Sequence, residues 1–221
     1  MGNKVVVFSI GPHCRPAHYL KEFELRKQAF PMDWQMCSLE DSIKLYENRF
    51  KDFFKEYKNY PEKENKQKGL RCVEDTKNKV VSIHHISNNV PLDEAVTDFR
   101  KLMLKRYHAL DNTIKKSDLI IMVGSYNVSK ARLDDFLLRF SKMYKDKEMI
   151  LFNVHNRKNG AHFHERIVKK NLKIVEFFFN DVHKNGSDPA INPKYWHGNV
   201  EKWDEMMEFL IKTIKNTSNN K

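Results

Sequence analysis

The chain lacks any run of about eighteen apolar residues of the kind that spans a bilayer, and nothing before Gly11 is long enough for the apolar core of a signal sequence. Neither export nor a membrane span is expected, and the cytoplasm is the expected compartment. Cysteine is scarce. Cys14, Cys37 and Cys72 are an odd number at irregular spacing with no C-x-x-C pair, which argues against a disulfide framework or a zinc ribbon and for free thiols in a reducing environment. No H-E-x-x-H occurs, and His162 and His164, two apart, suit a strand rather than one helical face, so no metal site is expected despite ten histidines. Gly11 stands alone, with neither G-x-G-x-x-G nor a P-loop around it, and no cofactor is expected.

What is present is the composition of a folded chain with a well-solvated surface: 221 residues, 40% hydrophobic, 31% charged. That length suits one α/β domain over 1–216, with 217–221 as a frayed tail. The net charge of +11 raises the question of nucleic acid. Lysine outnumbers arginine, however, and is interleaved with Glu and Asp along the chain; the densest polar run, Glu62 to Lys68, reads as a loop. That pattern fits a solvated surface better than a nucleic-acid groove.

Apolar β-branched runs predict strands at Val5 to Ile10, Val80 to Ile86, Asp118 to Ser125, Glu148 to Asn153 and Leu172 to Phe179. Helical spacing predicts helices at Pro16 to Lys27, from Ser38 onward, Leu92 to Lys116, Arg132 to Tyr144 and Val200 to Ile214, with a short one at Phe163 to Lys170. Pro61 to Lys79 reads as an exposed excursion with a possible hairpin edge. Strand and helix thus alternate about five times. The expected fold is an open, mostly parallel sheet of about five strands with helices on both faces, Rossmann-like or SGNH-hydrolase-like. Gly11 to Arg15, His84 to Asn89, Gly124 to Asn127, His155 to Asn156 and Asn180 to His183 would then gather along one sheet edge, where such folds bind ligands.

Cys14 is the outstanding group on that edge. It follows the first strand at the expected start of a helix, where backbone N–H groups, the helix dipole and Arg15 all favour a thiolate. A thiol nucleophile needs a histidine base, itself oriented by Asp or Asn, and the edge offers His13, His84, His85, His155 and His183 with Asp33 and Asp181. In a strand only one of His84 and His85 can face the cleft; His85 is preferred by a narrow margin. Asp33 and Trp34 read equally well as a turn cap and a core residue. Cys37 and Cys72 read as small buried hydrophobes.

The blocks FSIGPHCRPAHYL, LRKQAFPMDW, ENRFKDFF, VSIHHI and WHGNVEKW resemble a family of mostly bacterial and viral proteins labelled papain-like cysteine peptidases and catalogued among domains of unknown function. Met32 stands where the family motif usually has phenylalanine. The resemblance implies Cys14 as nucleophile, one of His84 and His85 as base, and Asp33 as orienting acid. Papain's own fold puts its histidine in a β-rich half, whereas the alternation here is closer to SGNH hydrolases. By that fold-level analogy Gly124 and Asn127 supply oxyanion contacts and His183 or His197 the base, although G-D-S is absent and GSYN is not the G-x-N-D of those enzymes.

The expectation is a cysteine-dependent hydrolase or acyl transferase with Cys14, His85, His84 and Asp33 as catalytic residues and Arg15, Trp34, Gly124 and Asn127 as substrate contacts. Peptide, ester and glycan-related substrates all stay open, the last because the resemblance implies neighbours in polysaccharide synthesis. The alternative is a non-catalytic α/β module binding an anionic nucleotide or glycan-related ligand at the same edge.

Overall fold

The computed structural model describes residues 4–60, 69–158 and 160–219. Its main sheet has five strands in the order β1-β6-β7-β9-β8: β1 (Val5–Ser9), β6 (Leu119–Gly124), β7 (Glu148–Asn156), β9 (Leu172–Phe179) and β8 (His162–Lys169). The first four run parallel, and β8 closes one edge antiparallel to β9. Every residue of β6 is buried, as expected for a central strand with both faces covered.

The two faces follow from the alternation of side chains along each strand. Val6, Phe8, Met122 and Leu151 point to a layer made by α2 (Leu39–Glu47), α3 (Leu92–Lys116) and α4 (Lys130–Met143). Val7, Ile121, Val123 and Phe152 point to α1 (Arg15–Glu22) and α5 (Val200–Asn219). The buried stripe of α5, Trp203, Met206, Met207 and Leu210, has the spacing of one helical face. Ser38 caps α2 by accepting from the Asp41 amide at 3.1 Å.

A second, antiparallel sheet has the order β2-β5-β4-β3, with β2 (Gln35–Met36), β3 (Tyr57–Asn59), β4 (Leu70–Asp75) and β5 (Val80–Ser87). It shares the core beneath α3 through Phe50, Phe53, Val73 and Ile86. This corrects the expectation that the strand carrying His84 and His85 belongs to the parallel sheet. Only a four-residue turn, Thr76 to Lys79, separates β4 from β5, and so short a link can join antiparallel strands alone. The hairpin expected in Pro61 to Lys79 is present from Leu70 onward, while Glu62 to Lys68 lies outside the described residues. Asp75 stabilises the turn, accepting from the backbone N–H groups of Phe54, Lys77 and Asn78.

The second correction concerns Phe163 to Lys170, expected as a helix and found as strand β8. A two-residue turn at Lys170 and Asn171 folds it back onto β9, pairing Phe163 with Phe177 and Arg166 with Ile174. As an edge strand it leaves Phe163 and Ile167 exposed, so its apolar residues lack the one-sided burial that separates strand from helix in a sequence. Helix α5 reaches Asn219, through most of the stretch expected to fray, and residues 220–221 are not described. Among the described residues no helix is long and apolar enough to cross a membrane.

Phe140 marks the middle of the larger core, its ring within 6.1 Å of Phe8, 5.3 Å of Tyr46 and 5.2 Å of Tyr144. Phe140→Ala is expected to lower the unfolding free energy by about 3–5 kcal/mol in urea titrations. Ile167→Thr on the exposed edge should stay within about 0.5 kcal/mol of the parent.

Candidate active site

Beyond β1 the chain turns sharply at the carboxyl edge of the sheet. Ile10 still donates to Val123, and then Gly11 and His13 both adopt positive φ (82° and 71°) before α1 begins. The His13 amide donates to the Gln35 carbonyl at 3.1 Å, and Trp34, just before Gln35, is also left-handed at φ 67°. Two non-glycine residues in this uncommon region, on either side of one backbone bond, mark a turn held by its surroundings.

Cys14 is the N-cap of α1, with near-helical φ and ψ of −84° and −26°. Its carbonyl accepts from the His18 amide, so Cys14 and His18 lie one turn apart on the same side of the helix. The thiol is half-buried, and burial pushes it above its ordinary value, opposed by a backbone N–H and by Arg15. The dipole and charge argument drawn from the sequence has the right sign but is outweighed by desolvation.

Arg15 does not reach toward Cys14. Its Nη1 donates to Asp181 Oδ2 at 2.6 Å and its Nε to the Trp196 carbonyl at 2.7 Å. Asp181, buried, also accepts from the Asn199 amide and from Trp203 Nε1, both at 3.0 Å. Gly198 is required here, because a Cβ would lie 2.1 Å from Asp181 Oδ1 and its φ is +70°. Tyr19 donates to the His197 carbonyl and stacks on Trp203.

This clamp brings the segment around Trp196 against the first helix. The His18 ring is 4.8 Å from Trp196 and 4.5 Å from His197, while Trp34 is 5.8 Å from Trp196 and 5.5 Å from His84. The result is a continuous row of rings, His197, His18, Trp196, Trp34 and His84, beside the start of α1. Burial lowers the pKa of all three of these histidines, reinforced at His18 by His197 and at His197 by Lys194, so neutral imidazole is favoured.

His85 points elsewhere. Its Nδ1 is 3.4 Å from Gln35 Nε2 and its Nε2 3.4 Å from Arg106, and burial plus the Arg106 charge bring it down to about 4. Asp33 is fully buried and accepts from Ser9 Oγ, the Phe30 amide and Arg26. Desolvation raises its pKa against those three donors. None of the three is a histidine. Gly124 lies under the Tyr126 ring, where an added Cβ would meet it at 3.0 Å, and Asn127 Oδ1 accepts from the Asn156 amide. His183 Nδ1 is held by the Asn185 amide and Asn192. Cys37, 3.8 Å from the Tyr126 hydroxyl, is pushed up to about 12 by burial, and Cys72 is buried in β4. Among the described residues no three His, Cys, Asp or Glu side chains converge as a metal site.

Trp34 and His84 therefore share one aromatic row with His18, which lies one turn along α1 from Cys14, while Asp33 and His85 face other partners and are linked through Gln35, whose Nε2 is 3.4 Å from both the Asp33 carbonyl and His85 Nδ1. His18 was missed from sequence, although the four-residue spacing in CRPAH signals a shared helical face. Trp196 was missed too, although WHGNVEKW was already conspicuous as a motif.

The model of a family described as putative papain-like cysteine peptidase, domain of unknown function 1796, matches residues 5–169. No curated protein and no solved structure matches the chain.

The depressed His85 pKa sets a pH dependence. The unfolded chain takes up this proton near the ordinary 6.5 and the folded chain only near 4. The associated stability is complete above pH 6.5 and is lost as pH falls toward 4, by up to about 3 kcal/mol. His85→Gln should flatten that part of a stability profile measured by urea unfolding.

Proposed function

The chain belongs to domain of unknown function 1796, the family described as putative papain-like cysteine peptidase, and from that premise we propose that it is a cysteine-dependent hydrolase of peptide bonds with Cys14 as nucleophile and His18 as base. One observation carries this reading: Cys14, at the sheet's carboxyl edge, heads a helix that presents a half-buried neutral imidazole on the same side, one turn later.

His18 accepts the proton from Cys14 Sγ as the sulfur attacks the carbonyl carbon of the peptide, and the carbonyl electrons move onto oxygen. Collapse of the tetrahedral adduct expels the amine, which takes the proton back from the imidazolium and leaves a thioester on Cys14. Water, activated by the neutral imidazole, then releases the acid and restores the thiol. Because burial favours both the neutral thiol and the neutral imidazole, this proton moves during attack rather than before it. Glu22 Oε1, 4.0 Å from His18 Nδ1 and one further turn along α1, completes a Cys-His-Glu ladder and favours the imidazolium when it forms. N–H groups at the start of α1 suit the oxyanion. Trp34, Trp196 and His84 would form the wall against which the acyl side rests.

His84 across the wall is the competing base, consistent with the family resemblance. His85 is disfavoured because both ring nitrogens face donors from Gln35 and Arg106. In a background carrying Cys37→Ser and Cys72→Ser, peptide vinyl-sulfone probes should add to Cys14, and hydrolysis of a mixed peptide library should vanish in Cys14→Ser. His18→Gln should lower the rate by about 10²–10⁴. Absence of both Cys14 labelling and cleavage would sink the hydrolase reading, whereas loss in His84→Gln with His18→Gln near parental would transfer the base to His84.

A further inference from the structure

A second group of charged and buried polar side chains lies farther along the same sheet edge. Two adjoining cavities, of about 400 and 590 Å³, share Asn127, Val128 and Arg132 and form one cleft between the ends of β6 and β7 and the start of α4. Arg132 lies in the first turn of α4, and Arg157 follows β7 on the other side. Among the described residues neither guanidinium has a carboxylate partner. Asp135 and Glu40, at the far end of the cleft, are both bound by Arg139, at 3.2 and 2.8 Å.

Between the arginines is His155, 2% exposed and lining the cleft. Its Nε2 is 3.0 Å from Glu176 Oε1 and 3.1 Å from Asn153 Nδ2, and its ring stacks on Phe178 at 4.5 Å. Glu176 is itself fixed by Arg166 Nε at 2.9 Å. Both oxygens of this buried carboxylate are therefore occupied, and the imidazole behind the cleft is held in one orientation with Nε2–H donating to Glu176. Nδ1 has no partner among the described residues. Ser129 provides no side-chain cap for α4 and its carbonyl accepts from the Arg132 amide, which leaves the Lys130 and Ala131 N–H groups as the uncapped donors of the first turn.

Nothing in the chemistry proposed at Cys14 uses these groups. Two guanidiniums, uncapped helix N–H groups and an imidazole backed by a carboxylate together suit a compact oxyanion that becomes a dianion by giving up a proton. We propose that this cleft is a binding site for a phosphate monoester, its oxygens held by Arg132 and Arg157 from opposite sides and by the first turn of α4, with His155 Nδ1 facing the phosphoryl group. A monoanionic ester can pass its remaining acid proton to Nδ1, placing an imidazolium between the phosphate dianion and Glu176. A phosphodiester has no such proton and only one negative charge, which separates this site from one for a nucleic-acid backbone.

The test is an amide ¹H–¹⁵N NMR titration of the full chain at constant ionic strength with inorganic phosphate, phenyl phosphate, diethyl phosphate and sulfate. Inorganic and phenyl phosphate should give saturable shifts at Ser129, Lys130 and Arg157, with diethyl phosphate and sulfate at least tenfold weaker. Arg132→Ala and Arg157→Ala, both exposed and each checked for fold in the same spectra, should each weaken binding about tenfold. Cys14→Ser should bind like the parent, so failure of the hydrolase reading and failure of this one are distinguishable. Shifts scattered over the lysine-rich surface, equal binding of sulfate or diethyl phosphate, or parental affinity in both arginine variants would overturn the proposal.

Discussion

The carboxyl edge of this molecule depends on a buried carboxylate held from several sides. Asp181, just beyond β9, accepts from Arg15 on α1, from the Asn199 amide before α5 and from Trp203 within it, while its own N–H donates to Asn156 at the end of β7. Taking a carboxylate out of water is costly, and only this full set of donors offsets that cost. The consequence is positional. Arg15 cannot satisfy Asp181 without drawing the first turn of α1 against the Trp196 segment, and the glycine at 198 lets the backbone come close enough to complete the contact.

Desolvation then sets the protonation states around Cys14. It raises the thiol and lowers His18, His84 and His197, so the resting cluster carries little charge despite a net chain charge of +11. An uncharged cluster is cheaper to keep among Trp34 and Trp196 than a thiolate–imidazolium pair would be. It also places the work of charge separation at the moment of attack, where substrate excludes further water and backbone N–H groups meet the developing oxyanion.

How far the fold and site could be read from sequence tracks the range of the interactions involved. The strands β1, β6, β7 and β9 were legible because both faces of each are covered, which writes a continuous apolar run into the chain. β8 was not, because an edge strand with an exposed outer side carries a mixed pattern, and its pairing is fixed by β9 across a turn. The same holds in the site. Cys14 was legible from its local place after a strand and before a helix, and its helical partner His18 was available by counting four residues. The redirection of Arg15 to Asp181, 166 residues away, and the contact of Ser9 with Asp33 depend on chain crossings that no local pattern records, whereas the Phe30 and Arg26 donors to Asp33 lie within seven residues of it.

Those crossings also tie the two ends of the edge together. The Asn156 amide donates to Asn127 beside the arginine cleft, Asn156 Oδ1 accepts from the Asp181 amide, and Asp181 accepts from Arg15 next to Cys14. Each link runs between backbone and a short side chain, or through the part-buried ion pair of Arg15 and Asp181, so few rotatable bonds separate one end from the other. The loops after β6, β7 and β9 therefore form a braced frame rather than three independent segments. A ligand long enough to contact both Arg157 and the aromatic wall would meet fixed geometry at each end, which limits the ordering entropy its binding must overcome.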